Sequence, residues 1–155
     1  MSSKLPIVKQ IAWLSILPQL LVVIVIGVVC YKINQENYII ITGIIYLILS
    51  FSLRTIIPSN HRKGMRLFKQ KKFEEAIPHF IASYNFFKKY HWLDKYRYLT
   101  LLSSSQISYT EMALLNEAFC LSQIENKNEA IKKYEDVLLE FPNSEIAKSA
   151  LKLLK

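Results

Sequence analysis

The chain has 155 residues, 52 % apolar and 21 % charged, enough for one ordinary domain or a small domain plus something else. This composition, with a net charge of +8, two cysteines and three glycines, excludes a disordered chain, a disulfide scaffold, a nucleic-acid-type basic tail and a Gly-rich phosphate loop. The uneven placement of charge also excludes a plain soluble enzyme, because residues 10–31 and 37–53 contain no Asp, Glu, Lys or Arg.

Lys9 and Lys32 bracket the first apolar run, Gln10 to Tyr31. A helix needs about 20 apolar residues to cross about 30 Å of hydrocarbon, so this run is long enough. Trp13 and Tyr31 lie near its ends, where amphipathic rings prefer to be. Pro18 is expected one to two turns inside the helix, as a kink. The second run, Asn37 to Leu53, extends to Ile57 if Arg54 snorkels. The two read as a transmembrane helical hairpin, about 10–31 and 37–57, joined by a tight loop near Lys32 to Asn37.

Basic residues set the orientation. The loop carries one Lys, the first flank carries Lys4 and Lys9, and Arg54, Arg62, Lys63, Arg66, Lys69, Lys71 and Lys72 follow the second run. The positive-inside rule puts both termini in the cytoplasm. Ile, Lys and Asn richness points to an AT-rich bacterial genome, hence to a bacterial inner or plasma membrane. A signal peptide would have a shorter core and a small-residue cleavage site. A pore would want ionisable groups in its spans. An anchor is the expected role.

From Pro58 onward the pattern is helical. Phe73, Ala76, Ile77, Phe80, Ile81 and Tyr84 recur with the spacing of one helix face. Ser108-Tyr-Thr-Glu111 is a capping box before a helix over Met112 to Ile124. A further helix is expected from about Asn128 to Glu140, stopping before Pro142. A last one starts at Asn143 or Ser144 and places Ile146, Ala147, Ala150, Leu151 and Leu154 on one side.

Two segments superpose. Gly64, Leu67, Ala76, Ile77 and Phe80 align with Ala118, Leu121, Ala130, Ile131 and Tyr134, and Glu-Ala-Ile recurs identically at 75–77 and 129–131. With Pro142 closing the second unit, the segments resemble the tetratricopeptide repeat (TPR), a pair of antiparallel helices of about 34 residues. Ala76 and Ala130 are 54 residues apart, because about 20 residues intervene. Lys71 and Glu125 stand where the family prefers Gly. Lys127 stands where it prefers an aromatic, and Lys88 where the first unit would close with Pro. Residues 143–155 look like the solvating helix that caps such arrays.

The resemblance implies an all-α domain over 58–155, with an insertion at about 91–110, behind an anchor over 1–57. It implies a peptide groove lined by the first helix of each unit: His61, Met65, Phe68 and Lys69, then Met112, Leu115, Phe119, Ser122 and Gln123. Met65 and Phe119 occupy positions where carboxylate-clamping members carry Asn, so an apolar helix or extended peptide is the implied ligand.

Between the units, Phe80, Tyr84, Phe86, Phe87, Tyr90, Trp92, Tyr96 and Tyr98 crowd into 19 residues. Phe80, Tyr84 and Phe87 continue the core stripe. Trp92, Tyr96 and Tyr98 admit either reading, packing over the array or a docking surface. Residues 58–97 carry +7 and residues 98–155 carry −2. The basic half adjoins the second run, so Arg54, Arg62, Lys63, Arg66, Lys71 and Lys72 are expected to meet anionic lipid, at about 1 kcal/mol per residue near the surface. The same residues argue against nucleic acid.

His61, His79 and His91 have no Cys, Asp or Glu at metal-ligand spacing. Cys120 reads as a small core residue. Ser103 to Ser105 lack a nucleophile-elbow context. No catalytic pair, cofactor or small-molecule substrate is expected. The function expected is a membrane-tethered, TPR-like adaptor for a protein partner. The alternative is an accessory subunit of a larger membrane complex whose spans make the specific contacts.

Overall fold

The computed structural model describes residues 12–155, and among them every extended regular element is a helix. A 3-10 turn, Trp13–Ser15, leads into α1 (Ile16–Ile33), followed by α2 (Tyr38–Ile56), α3 (Ser59–Lys69) and α4 (Phe73–Lys89). Two short helices come next, α5 (His91–Lys95) and α6 (Arg97–Thr100). The chain ends in α7 (Tyr109–Gln123), α8 (Lys127–Glu140) and α9 (Glu145–Leu154). Lys4, Lys9, Gln10 and Ile11 lie outside the described residues. Two compact units emerge: 12–57 with 92–106, and 58–91 with 107–155.

In the first unit α1 and α2 form an antiparallel pair, each about 27–28 Å long at 1.5 Å per residue. Between them sit small residues. A Cβ on Gly27 would lie 3.8 Å from the Thr42 side chain, and Cys30, Thr42 and Ser50 are buried. The large side chains point outward, among them Ile24, Val28, Ile39, Leu47 and Phe51. The pair inverts the pattern of a water-soluble helix, with its least bulky residues inside.

Asn34 Oδ1 accepts from the Glu36 and Asn37 amides at 3.1 and 3.0 Å, closing the loop as an Asx turn. Tyr31 and Tyr38 meet edge to face across it, 5.3 Å between centroids. The helix begins at Ile16, so Pro18 falls in the first turn, where no amide has a partner to lose.

Residues 92–106 belong to this unit. The Leu102 carbonyl accepts from Gln19 Nε2 at 3.1 Å and from the Arg54 guanidinium. The Ser104 carbonyl accepts from the Ala12 amide at 2.9 Å.

The second unit stacks α3, α4, α7, α8 and α9 in series, each packed on the one before. α3 packs on α4 and α7 on α8, and the two turns between them are alike. Two residues past each first helix stands a residue at φ 61°, Lys71 and then Glu125. In each the next amide reaches back to the last turn, Lys72 N–H to Leu67 O at 3.0 Å and Asn126 N–H to Leu121 O at 3.1 Å. That is the closure of a Schellman motif.

Ala76 and Ala130 are fully buried, and Phe80 and Tyr134 are buried beside them. Gly64 is needed where it stands, since a Cβ there would lie 2.8 Å from the Phe80 ring. Ser108 Oγ caps α7 by accepting from the Glu111 amide at 3.1 Å. α9 closes the stack, with Ala147 and Leu151 buried against Leu114, Leu115 and Val137.

Candidate functional site

The first helix of each pair carries the residues that the repeat alignment assigned to a groove. α3 and α7 touch, and their contact is aromatic. Phe68 lies 5.2 Å from Phe119 and 5.7 Å from Phe73, centroid to centroid, and Phe73 lies 6.3 Å from Phe119. All three rings are half-buried. Met65 extends the cluster along α3, where its sulfur accepts from Asn116 Nδ2 at 3.5 Å. Lys69 and Gln123 are exposed, while Met112 and Ser122 are half-buried. The Ser122 hydroxyl donates to the Phe119 carbonyl at 2.7 Å.

Two expected groove residues lie elsewhere. His61 is buried, its ring edge-to-face with Phe80 at 5.7 Å and Tyr109 at 5.4 Å. Leu115 is buried in the cluster that α7, α8 and α9 share. Asn116, one residue on, contacts Met65 in its place. Met112, Asn116, Phe119 and Gln123 fit one helix face as well as Met112, Leu115, Phe119 and Ser122 do.

Of the basic residues, Arg62, Lys63, Arg66, Lys71 and Lys72 are exposed on α3 and its closing turn. Lys72 pairs with Glu75 at 3.5 Å. Arg54 is exposed in the other unit while its guanidinium bonds Leu102 O.

On the other side of α7 lies a cleft of about 310 Å³ between α4 and α8. Its apolar lining is Ile81, Leu114 and Leu139, and Glu117 sits among these residues. Glu117 is buried and pairs with Lys133 Nζ at 2.9 Å. A carboxylate inside an apolar helix face needs such a partner. The sequence carried this signal, since Glu117 falls among Leu114, Ala118 and Leu121.

At the cleft's end, the Tyr84 hydroxyl donates to Glu140, and Lys88 donates to both Tyr84 and Glu140. These bonds hold the Lys88 ammonium above its ordinary range, the Tyr84 bond first. Burial, then the Glu117 charge, pushes the Cys120 thiol up to about 12. Cys120 is therefore a packed apolar group and no nucleophile at neutral pH. Among the described residues no three His, Cys, Asp or Glu side chains gather as a metal site would.

Comparison with family models, curated proteins and solved structures gives no match. The functional reading rests on the geometry.

Proposed function

We propose that the protein is a membrane-anchored adaptor, with α1 and α2 as two spans and the helical stack as a TPR-like platform for a protein partner on the cytoplasmic side. The observation that carries the membrane half is exposure. Only 6 % and 11 % of the two apolar stretches is buried, where the core helix of a soluble protein would be mostly buried. A surface of Ile, Leu, Val and Phe on that scale is costly in water and favourable in lipid. Lys32 in the short loop, against the basic residues that follow α2, favours cytoplasmic placement of both outer ends.

The platform half rests on the repeated pair and its aromatic face. α3 and α7 touch, and Met65, Phe68 and Phe119 together offer one apolar strip. The strip suits the apolar side of a helix or an extended peptide. Exposed Lys69 and Gln123 flank it, within reach of the same partner.

The test is co-purification from the native membrane in mild detergent, comparing the natural chain with Phe68→Glu/Phe119→Glu. A second variant, Lys69→Glu/Gln123→Glu, changes only exposed positions on the same helices. Circular dichroism confirms that each folds. The adaptor reading expects one soluble protein to be lost from both folded variants. If the same membrane proteins accompany all three chains, the groove fails and the spans make the contacts of an accessory subunit.

A further inference from the structure

The segment 92–106 is fixed to the end of the hairpin at which α1 begins and α2 finishes. Gln19 lies in the first turn of α1 and Arg54 in the last turn of α2, and both donate to the Leu102 carbonyl. Leu101, Leu102 and Ser103 are buried. Leu102 holds φ 47°, a left-handed conformation that a branched side chain resists. The two donors on its carbonyl hold it there. Arg97 ties the segment's two halves together, donating to Asp94 O at 3.1 Å, Ser105 O at 3.0 Å and Gln106 O at 2.6 Å.

The opposite face is apolar and open. Trp92, Tyr96 and Leu99 are 57 %, 55 % and 49 % exposed. Tyr96 N–H bonds Trp92 O at 3.0 Å and Thr100 N–H bonds Tyr96 O at 2.9 Å, so helical turns run through both short helices. The three side chains, at i, i+4 and i+7, therefore share one face. Lys95 flanks them, with its ammonium 5.5 Å from the Tyr96 ring centre. The only acidic residue between 92 and 106 is Asp94, which is buried. Trp13, 77 % exposed, stands at the same end of α1.

We propose that residues 92–100 form a third membrane-contacting element, an interfacial turn whose Trp92, Tyr96 and Leu99 insert among phospholipid headgroups. The proposal rests on the reading of α1 and α2 as spans. Three features select lipid as the occupant. The segment is bonded to both spans at the level where they leave the hydrocarbon. Its open face is apolar, like the outward faces of the two spans. It is built from the two side chains that prefer the headgroup boundary, beside a lysine and with no exposed carboxylate.

The test uses the full chain in vesicles of phosphatidylcholine and phosphatidylglycerol. Trp13→Phe leaves Trp92 as the one tryptophan, and Trp13→Tyr replaces it if that chain folds poorly by circular dichroism. Trp92 emission is expected to shift to the blue, to resist aqueous iodide, and to be quenched more by lipids brominated near the headgroup than near the chain end. Emission quenched by iodide and untouched by brominated lipid overturns the proposal. Shielding from both overturns it too, since a protein surface would then cover the face. Extraction with alkaline carbonate separates the two readings. A chain that resists extraction with Trp92 open to iodide refutes the interfacial turn alone, whereas a chain that is extracted refutes the anchor and the turn with it.

Discussion

Lys71 and Glu125 stand 54 residues apart and hold the same left-handed backbone, each at φ 61°. Each stands two residues past the first helix of its pair and turns the chain into the second. A side chain there meets its own carbonyl, at about 1–2 kcal/mol for an ordinary residue, and glycine escapes that contact. Part of the gain is returned through the freer unfolded chain, about 0.4–1 kcal/mol. Lys71→Gly and Glu125→Gly are therefore each expected to stabilise by about 0.5–1 kcal/mol. Thermal melts of the detergent-solubilised chain, followed by circular dichroism, check this. A fall in melting temperature for either variant would mean that its side chain makes a contact outweighing the strain.

Gly64→Ala acts in the opposite direction. The added methyl lies 2.8 to 3.1 Å from three atoms of the Phe80 ring. That ring is fully buried and wedged against His61, so it has nowhere to go. Overpacking costs about 1–3 kcal/mol, against about 1 kcal/mol gained from better helix propensity. A net loss of about 1 kcal/mol is expected. Gly64→Ala/Phe80→Leu should recover part of it, because the smaller side chain makes room. Equal melting temperatures for the natural chain and Gly64→Ala would refute the close approach of α3 and α4.

Pro78 lies inside α4, past its first turn, and is exposed. Its ring removes the amide that would bond Glu74 O and crowds that carbonyl. Pro78→Ala is expected to raise stability by about 1–3 kcal/mol, the upper end being the full penalty of proline in a helix interior. Partner binding should not change, because Pro78 lies on the second helix of its pair, away from Phe68 and Phe119. Melting temperature and co-purification, measured on one preparation, check both statements.

Which parts were legible in the sequence follows from the range of the forces. The two apolar runs and the amphipathic stripes of α4 and α9 are local periodicities. The pairing of 64–80 with 118–134 is visible because each pair of helices must solve the same packing problem, with a small residue opposite an aromatic. The docking of 92–106 was not visible. It depends on Gln19 and Arg54 reaching one carbonyl at Leu102, and no residue type marks a carbonyl. The burial of Leu115 and the contact of Asn116 with Met65 were not separable in the sequence, because a helix of 3.6 residues per turn lets both spacings fit. The effect of Pro18 depends on where its helix starts, and that start, Ile16, is set by contacts that no local pattern marks.

The core of α7 and α8 makes the protein sensitive to alkali. Cys120 is pushed up to about 12 by burial and then by the Glu117 charge. Tyr134 is pushed up to about 12 by burial and then by Cys120. Lys133 is held above its ordinary value by its hydrogen bond to Glu117. All three groups keep their protons longer folded than unfolded, so the folded chain binds more protons once the unfolded groups titrate. By linkage, stability then falls as pH rises. The cysteine contribution begins near pH 9, the ordinary thiol value, and the tyrosine near pH 10. The lysine contribution is intact below 10.5 and fades as pH passes the folded value. Melting temperature should hold at neutral pH and fall steadily above pH 9. Cys120→Ala removes the first component and should delay that fall, at the cost of a small cavity beside Ala76 and Phe80. In a Cys30→Ser background, Cys120 should resist iodoacetamide at neutral pH until the chain is denatured. Rapid labelling of the folded protein would show that the thiol is not packed as described, and the alkaline argument would fail with it.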